Sequence, residues 1–484
     1  MTKQAILGTT EKTPRWMLVL LGFVALVVRL PGLERRGLWY DEAQSATFAA
    51  LTPAELIRTV LSLDVHPPLY YLQLHFWMWP SSDDAWIRLN SVAWSLVGLA
   101  VLYGGVRRWA DGRTAVLAGL VYALHPLSIH YGQEARMYTM LMCACACVWV
   151  GALGFARSPV LRRDRALFFG GISVAIYAHG MGMLVAVAGV AAVMRLASQR
   201  YGPRRGGLVR GGLTLLAIWM PWMIFVALYR SPAPAEGGLD WGHIVSVPAA
   251  LLLGGGVDPS LAWHLILVLA SAAGLAVAIR SRDDILATSA AGLLAAFLVS
   301  LLIAALTQNH VFLSMKVVGM LTPLVCVALA RGTMVCVASR RARRVIGLVL
   351  LMVVSGVSIE QQRSRYGAWV TRDGAALVRA EARAGDVVRV STQRMFWGWC
   401  WYFLGPGSVR PMATSYVEKD SAGVEIRLVS DPSTSTGTEW FVYRSIDPVP
   451  VAPGREAFRA DYGDIYVVRV DPDGPGGVAP MSTP

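Results

Sequence analysis

The sequence predicts a mainly α, polytopic transmembrane helix bundle, with interfacial helices in its first outward loop and a small C-terminal α/β domain. Three observations predict it. Hydrophobic residues make up 55% of the 484 and charged residues 15%, with a mean hydropathy of +0.49, far from the balance of a soluble chain. Apolar runs near the roughly 18 residues that cross about 30 Å of hydrocarbon recur through the first three quarters of the chain. Beyond about residue 360 this texture gives way to polar segments with short strand-like runs.

In chain order the candidate spans are Trp16 to Leu30, Leu89 to Val106, Thr114 to Ile129, Met137 to Ala156, Ala166 to Ala178 and Gly180 to Val193. They continue with Leu213 to Tyr229, Leu261 to Ile279, Ile285 to Leu306, Val317 to Ala330 and Val345 to Ile359, making about eleven. Domain bounds follow: 1–359 for the membrane domain, with its first outward loop at about 34–88, 360–470 for the α/β domain, and a Pro- and Gly-rich tail, 471–484, expected to be disordered. In the small domain, Asp373 to Arg383 reads as a helix, and Asp386 to Ser391, Glu425 to Val429, Glu439 to Tyr443 and Asp464 to Val470 read as strands.

Sidedness follows from Lys and Arg, which cytoplasmic loops retain. Alternate connections carry Arg107, Arg108 and Arg113; Arg157, Arg162, Arg163 and Arg165; Arg195 to Arg210; Arg280 and Arg282; and Arg331 to Arg344. These are expected inside with the N-terminus. The connections at Asp41, at His130 to Arg136, at His179, at Arg230 to Asp258 and at Thr307 to Lys316 are expected outside, with the C-terminal domain. The implied location is an inner, or plasma, membrane. Pro67 to Trp79, roughly 13 residues, is too short to cross unaided and reads as a re-entrant or interfacial helix. Counting it as a span would invert the charge alternation of every later loop. The net charge of +13 is explained by these inward loops, so no nucleic-acid partner is expected.

No cleavage pattern follows the first apolar run, which is expected to stay as an anchor. Cys143, Cys145, Cys147, Cys326 and Cys336 lie in or beside spans and Cys400 stands alone outside, a distribution with no disulfide or metal framework.

The first outward loop carries Trp39-Tyr40-Asp41-Glu42 and then Asp64-Val65-His66-Pro67-Pro68-Leu69-Tyr70-Tyr71. Charged and ring residues at a lipid boundary are costly and usually serve chemistry. Thr52-Pro53-Ala54-Glu55 matches a capping box with proline at the first helical position, so a helix begins there. Leu56, Val60 and Leu63 share one side of it, which suits a helix lying along the membrane surface. Asp41 and Glu42 open a separate short helix, Ala43 to Ala50, at whose positive end carboxylates are favoured.

The order of a first span, an Asp-Glu pair, a His-Pro-Pro-Leu-Tyr-Tyr helix, an Arg-Leu span and Gln133-Glu134-Ala135-Arg136-Met137-Tyr138 resembles the GT-C membrane glycosyltransferases. Within these it is most similar to bacterial members related to protein O-mannosyltransferases and aminoarabinose (ArnT-like) transferases. The resemblance covers residues 15 to 160 best and continues as topology to 360. It implies transfer of a sugar, mannose or another hexose or pentose, from a polyprenyl-phosphate donor to a lipid, glycan or protein acceptor, with inversion. It also maps the general base onto Asp41. Without it, a helix cap or a headgroup-facing acid is the stronger reading of that residue.

Glu42 is the second catalytic candidate, to orient the acceptor or to pair with a basic residue. Phosphate needs cations at the lipid boundary. Arg136 leads, on a short outward turn at the start of a span, with an interfacial anchor as the alternative. Lys316 stands where related enzymes often carry Arg-Tyr, and it keeps the charge while losing the bidentate fork. His66 is a candidate for phosphate or acceptor, or else orders the Pro67-Pro68 turn. Asp64, Tyr70, Gln133, Glu134 and Tyr138 are candidates for lining the same cavity. Asp64, Gln133 and Glu134 read equally as solvated polar groups, and for Tyr70 an interfacial aromatic belt is the stronger reading. Arg88 reads as a charge at a span boundary.

No cofactor is expected. No His/Cys cluster or Asp-x-Asp occurs in the outward membrane loops, so metal independence is expected, and Gly254-Gly255-Gly256 lacks the context of a nucleotide loop. The competing function is a transporter or flippase of lipid-linked sugars. It would require ionisable groups in mid-span and paired repeats, whereas the charges here gather at span ends.

Overall fold

The computed structural model describes residues 14, 16–34, 37–157, 161–200, 213–214, 216–225, 239–253, 261–365, 371–390, 393–406, 417–419, 425–428, 438–444, 458–461 and 465–470. The tail 471–484 and the glycines at 254–256 lie outside the described residues. The chain divides into two compact units. The first comprises Met1–Pro31, Val65–Tyr70 and Ser91–Gln362, and the second Gly32–Asp64, Tyr71–Asn90 and Arg363–Pro484.

The first unit is the helix bundle. Its elements are α1 (Trp16–Arg29), the later turns of α5 (Asp84–Trp109), α6 (Gly112–Leu124), α7 (Pro126–Gly132), α8 (Tyr138–Arg157), α9 (Arg162–Ala178) and α10 (Met183–Arg200). They continue with α11 (Leu216–Phe225), α12 (Trp241–Leu253), α13 (Leu261–Arg280), α14 (Asp284–Thr307), α15 (Met315–Val318), α16 (Thr322–Cys336) and α17 (Arg340–Arg365). Among the described residues, five stretches are long and apolar enough to cross a bilayer: Asp84–Trp109, Tyr138–Arg157, Asp284–Thr307, Met315–Cys336 and Arg340–Glu360. Large apolar side chains stand exposed along α1 and α17, with Val19 at 73%, Phe23 at 62%, Leu348 at 61% and Met352 at 64%. Such faces are stable only against lipid or another apolar surface. The α8 helix is the buried centre, packed against α9 and α10, and α14 joins α10 to α16.

Two expectations fail locally. The run Thr114 to Ile129 is not one helix, because it breaks at His125, whose backbone is extended before Pro126. Proline disfavours helical geometry in the residue before it and removes a backbone donor. The Arg230 to Asp258 connection is not all loop, since α12 occupies its second half despite Pro248 inside it.

Loops assigned by charge to a single side do meet. Arg331 reaches Asp283 through NH2 at 2.6 Å and Asp111 through NH1 at 2.6 Å. Each of those acids also caps a helix, Asp111 accepting from Thr114 N at 2.8 Å and Asp283 from Leu286 N at 3.0 Å. Arg331 therefore ties the starts of α6 and α14 to α16.

The second unit joins the loop after α1 to the C-terminal region. Its helices are α2 (Tyr40–Ala49), α3 (Pro53–Leu63), α4 (Leu69–Trp77, whose first two residues belong to the first unit), the first turns of α5, α18 (Thr371–Glu381) and α19 (Gln393–Leu404). At nine residues α4 is far too short to cross a bilayer. The α3 helix starts as its capping box requires, with Thr52 N donating to Glu55 Oε2 at 3.3 Å. It buries Leu56 and Val60 and leaves Ile57 and Leu63 exposed.

The sheet runs β2-β3-β1-β4-β6-β5, from Val417–Lys419, Glu425–Leu428, Val387–Val390, Glu439–Arg444, Ile465–Val470 and Phe458–Asp461. The central β1 is buried throughout and lies parallel to β3 and β4, with antiparallel pairs outside. The expected α18 and four strands are present; β2, β5 and α19 are additional. Asp386 fixes the entry to β1, accepting from Arg383 N at 2.9 Å and Thr438 N at 3.1 Å. Cys143, Cys145, Cys147, Cys326 and Cys336 are free thiols.

Candidate functional site

In the second unit the acidic pair opens α2. Trp39 is extended and its N–H donates to Glu42 Oε2 at 3.1 Å, so Glu42 closes the first turn. Successive helical residues point about 100° apart, and the two carboxylates part accordingly. Glu42 meets Arg88 in a bidentate pair, Nε to Oε1 at 2.9 Å and NH2 to Oε2 at 2.7 Å, with both side chains fully buried. The remaining Arg88 donors reach Leu33 O at 2.6 Å and Gly37 O at 2.9 Å. A buried pair with this many partners holds only while both members are present. Asp41 is 7% exposed, and its carbonyl accepts from Ser45 Oγ at 2.8 Å. Asp64 accepts from Tyr71 Oη at 2.5 Å, and the Tyr71 ring meets Phe48 edge-on.

In the first unit the convergence is of rings and cations. His66 packs on His179 with ring centroids 4.3 Å apart, and Gly180 N makes a long contact with His66 Nδ1 at 3.5 Å. Desolvation, and after it the positive charges of Arg136 and Lys316, pull the half-buried His66 down to about 3, so the ring is neutral near pH 7. Arg136 is buried and Lys316 half-buried.

The turn bearing Arg136 is held by its backbone. Arg136 N donates to Glu134 O at 2.8 Å, and Ser91 Oγ donates to Glu134 O and, at 3.3 Å, to Arg136 O. Gln133 Nε2 donates to Arg29 O at 3.1 Å and Pro31 O at 3.0 Å. Glu134 Oε1 lies 3.3 Å from His130 Nε2. The Tyr138 ring sits between Tyr131 at 4.4 Å and His179 at 6.1 Å. Tyr70 is fully buried.

Thus the structure gathers His66, Arg136 and Lys316 within electrostatic reach, with Tyr138 joined through His179. It engages Glu42 with Arg88, Asp64 with Tyr71, Gln133 with carbonyls at the end of α1, and Glu134 with His130. The sequence reading missed His179 and the role of Arg88. His179 ends α9, its Nδ1 accepting from Met181 N at 2.9 Å. Nearby Gly182 has no room for a side chain, since a Cβ would lie 1.8 Å from Ala175 O. A His-Gly-Met-Gly tetrapeptide between two apolar runs was the available signal. Among the described residues no group of three His, Cys, Asp or Glu could hold a metal ion.

No family model and no curated protein matches the sequence. Among solved structures, ArnT from Cupriavidus metallidurans in the apo state matches with a TM-score of 0.60 at 16% identity, over 93% of this chain and 97% of that one. The same protein bound to undecaprenyl phosphate matches with a TM-score of 0.57 at 16% identity, over 95% and 99%. The chain shares the fold of these ArnT structures. A match of that extent takes in most of the C-terminal region as well as the helices. Within it, Asp41, Glu42 and Asp64 fall in the second unit, and His66, Tyr70, Gln133, Glu134, Arg136, Tyr138 and Lys316 in the first.

Proposed function

We propose that this GT-C chain is an integral membrane glycosyltransferase that moves a hexose or pentose from a polyprenyl-phosphate donor to an acceptor hydroxyl, inverting the anomeric centre. The observation that carries the reading is the convergence of Arg136 and Lys316 on a neutral His66. The fold likeness to a protein bound to undecaprenyl phosphate supports it.

The roles follow from charge. The leaving group is a phosphate, a stable anion that needs cations more than an acid. Arg136 supplies a planar fork and Lys316 a point charge. His66, neutral, serves as a hydrogen-bond partner for phosphate or acceptor. Asp41 takes the acceptor proton as the oxygen attacks the anomeric carbon, and the electrons of the broken bond leave with the phosphate. Glu42 cannot take that proton without losing its ion pair with Arg88. Of the two neighbouring acids, the base is therefore Asp41. In this reading the site opens on the extracytoplasmic side of a bacterial inner membrane, with the N-terminus inside and residues 360–470 outside.

The test is release of polyprenyl phosphate by the purified protein given polyprenyl-phosphate sugars and candidate acceptors. Asp41→Asn is expected to lower transfer about 10²–10⁴-fold, the usual contribution of a general base, with folding intact. Wild-type rates in that variant would remove Asp41 from the role. Movement of the intact lipid-linked sugar across the bilayer without release would favour a flippase.

A further inference from the structure

The segment that leads into α2 is fastened from the C-terminal region, within the same compact unit. Tyr402 Oη, on α19, donates to Asp84 Oδ2 at 2.7 Å and accepts from Leu38 N in a very short bond. Arg372, on α18, donates to Glu34 O at 3.2 Å and reaches Asp84 Oδ2 at 3.5 Å. Gly37 is seated between them, so that a Cβ there would lie 3.1 Å from Arg372 Cβ and 3.2 Å from Tyr402 Oη. Arg88 holds the carbonyls of Leu33 and Gly37 from the other partner, and Glu42 holds Trp39 N. Asp41 comes two residues after the last of these points. Further along α2, Phe48 meets Trp397 of α19 edge-on at 5.7 Å.

We propose that Tyr402 is a positioning residue, setting the start of α2 and thereby the aim of Asp41, so that the C-terminal domain is part of the transfer machinery and not an appended module. Because it hydrogen-bonds on both sides, the hydroxyl has a task that the ring alone cannot perform. Burial raises its pKa above the usual tyrosine value, which keeps its proton available to Asp84. The inference rests on the base role given to Asp41 above.

The experiment uses the full chain in lipid nanodiscs and has two arms. In the first, hydrogen exchange is followed in the wild type and in Tyr402→Phe. Exchange over residues 37–47 is expected to rise about tenfold, the size of one lost hydrogen bond, with β1 and α18 unchanged. Gly37→Ala, which crowds the same seat while leaving the hydroxyl in place, should disturb the same peptide, and serves alone if Tyr402→Phe does not fold. Unchanged exchange at 37–47 in the variants that fold overturns the proposal.

In the second arm, Tyr402→Phe is expected to lower kcat about ten- to a hundredfold with KM for the polyprenyl-phosphate sugar unchanged, the signature of a misplaced catalytic group. The same substitution in an Asp41→Asn background should have little further effect, because the two act through one group. An equal loss in both backgrounds, or an unchanged kcat, overturns it. A wild type that transfers nothing defeats the functional reading instead, and the exchange arm then still decides whether Tyr402 sets α2.

Discussion

Around Arg88 and around His66 the chain handles charge in opposite ways. At Arg88 a buried carboxylate and two backbone carbonyls meet one guanidinium, and the charge is cancelled where it stands. At His66 two cations act on a ring that is itself kept neutral, and the carboxylate of that turn, Glu134, lies against His130. The first arrangement is a joint and would lose rigidity if altered. The second places two cations within electrostatic reach of one neutral ring. Charged residues at span ends therefore do not form one class.

The contrast can be broken most forcefully at Arg88. Arg88→Ala leaves Glu42 buried without its partner and is expected to cost about 3–5 kcal/mol in unfolding measurements in detergent. The double change Arg88→Met with Glu42→Leu should recover much of it, since the charges go together. A loss below about 1 kcal/mol for the single change would show that the pair is not a joint.

At Arg136 the expectation reverses. Arg136→Lys keeps the charge and loses the fork, so KM for the donor should rise about tenfold while unfolding stability stays close to wild type. A variant that unfolded instead would place Arg136 with Arg88.

The smallest effect is in pH. The unfolded chain protonates His66 below about pH 6.5, the folded ring only near 3. The stability held at this site is complete above the unfolded value and drains away as pH falls toward the folded one. Melting temperature is expected to drop as pH goes from roughly 7 to 5, with a shallower fall in His66→Gln. Identical slopes would mean that His66 is not held neutral.

What could be read from the sequence was local. The capping box at Thr52 and Glu55, the short α4 and the edges of β1, β3, β4 and β6 depend on neighbours a few residues apart, and they stand where periodicity put them. Arg88 and Glu42 are 46 residues apart and His66 and Gly180 114 apart, so no window over the chain could pair them. The helix α12 was hidden by its own proline, and the two edge strands β2 and β5 by their shortness, at three and four residues. The sequence pointed to His66, Arg136 and Lys316, but not to the His179 imidazole that packs against His66.

Arg29 closes α1 without an acid. Its guanidinium takes Ala123 O at 2.8 Å, Ser128 Oγ at 2.8 Å and Ala25 O at 3.0 Å. Ala123 lies in the final turn of α6, where the peptide dipoles leave partial negative charge. The first helix thus brings a permanent cation whose solvation is supplied by a helix synthesised some ninety residues later. Replacing it with any other hydrophobic leader would leave the last oxygens of α6 without their donor. The opening segment is a structural member of the bundle, not an interchangeable tether.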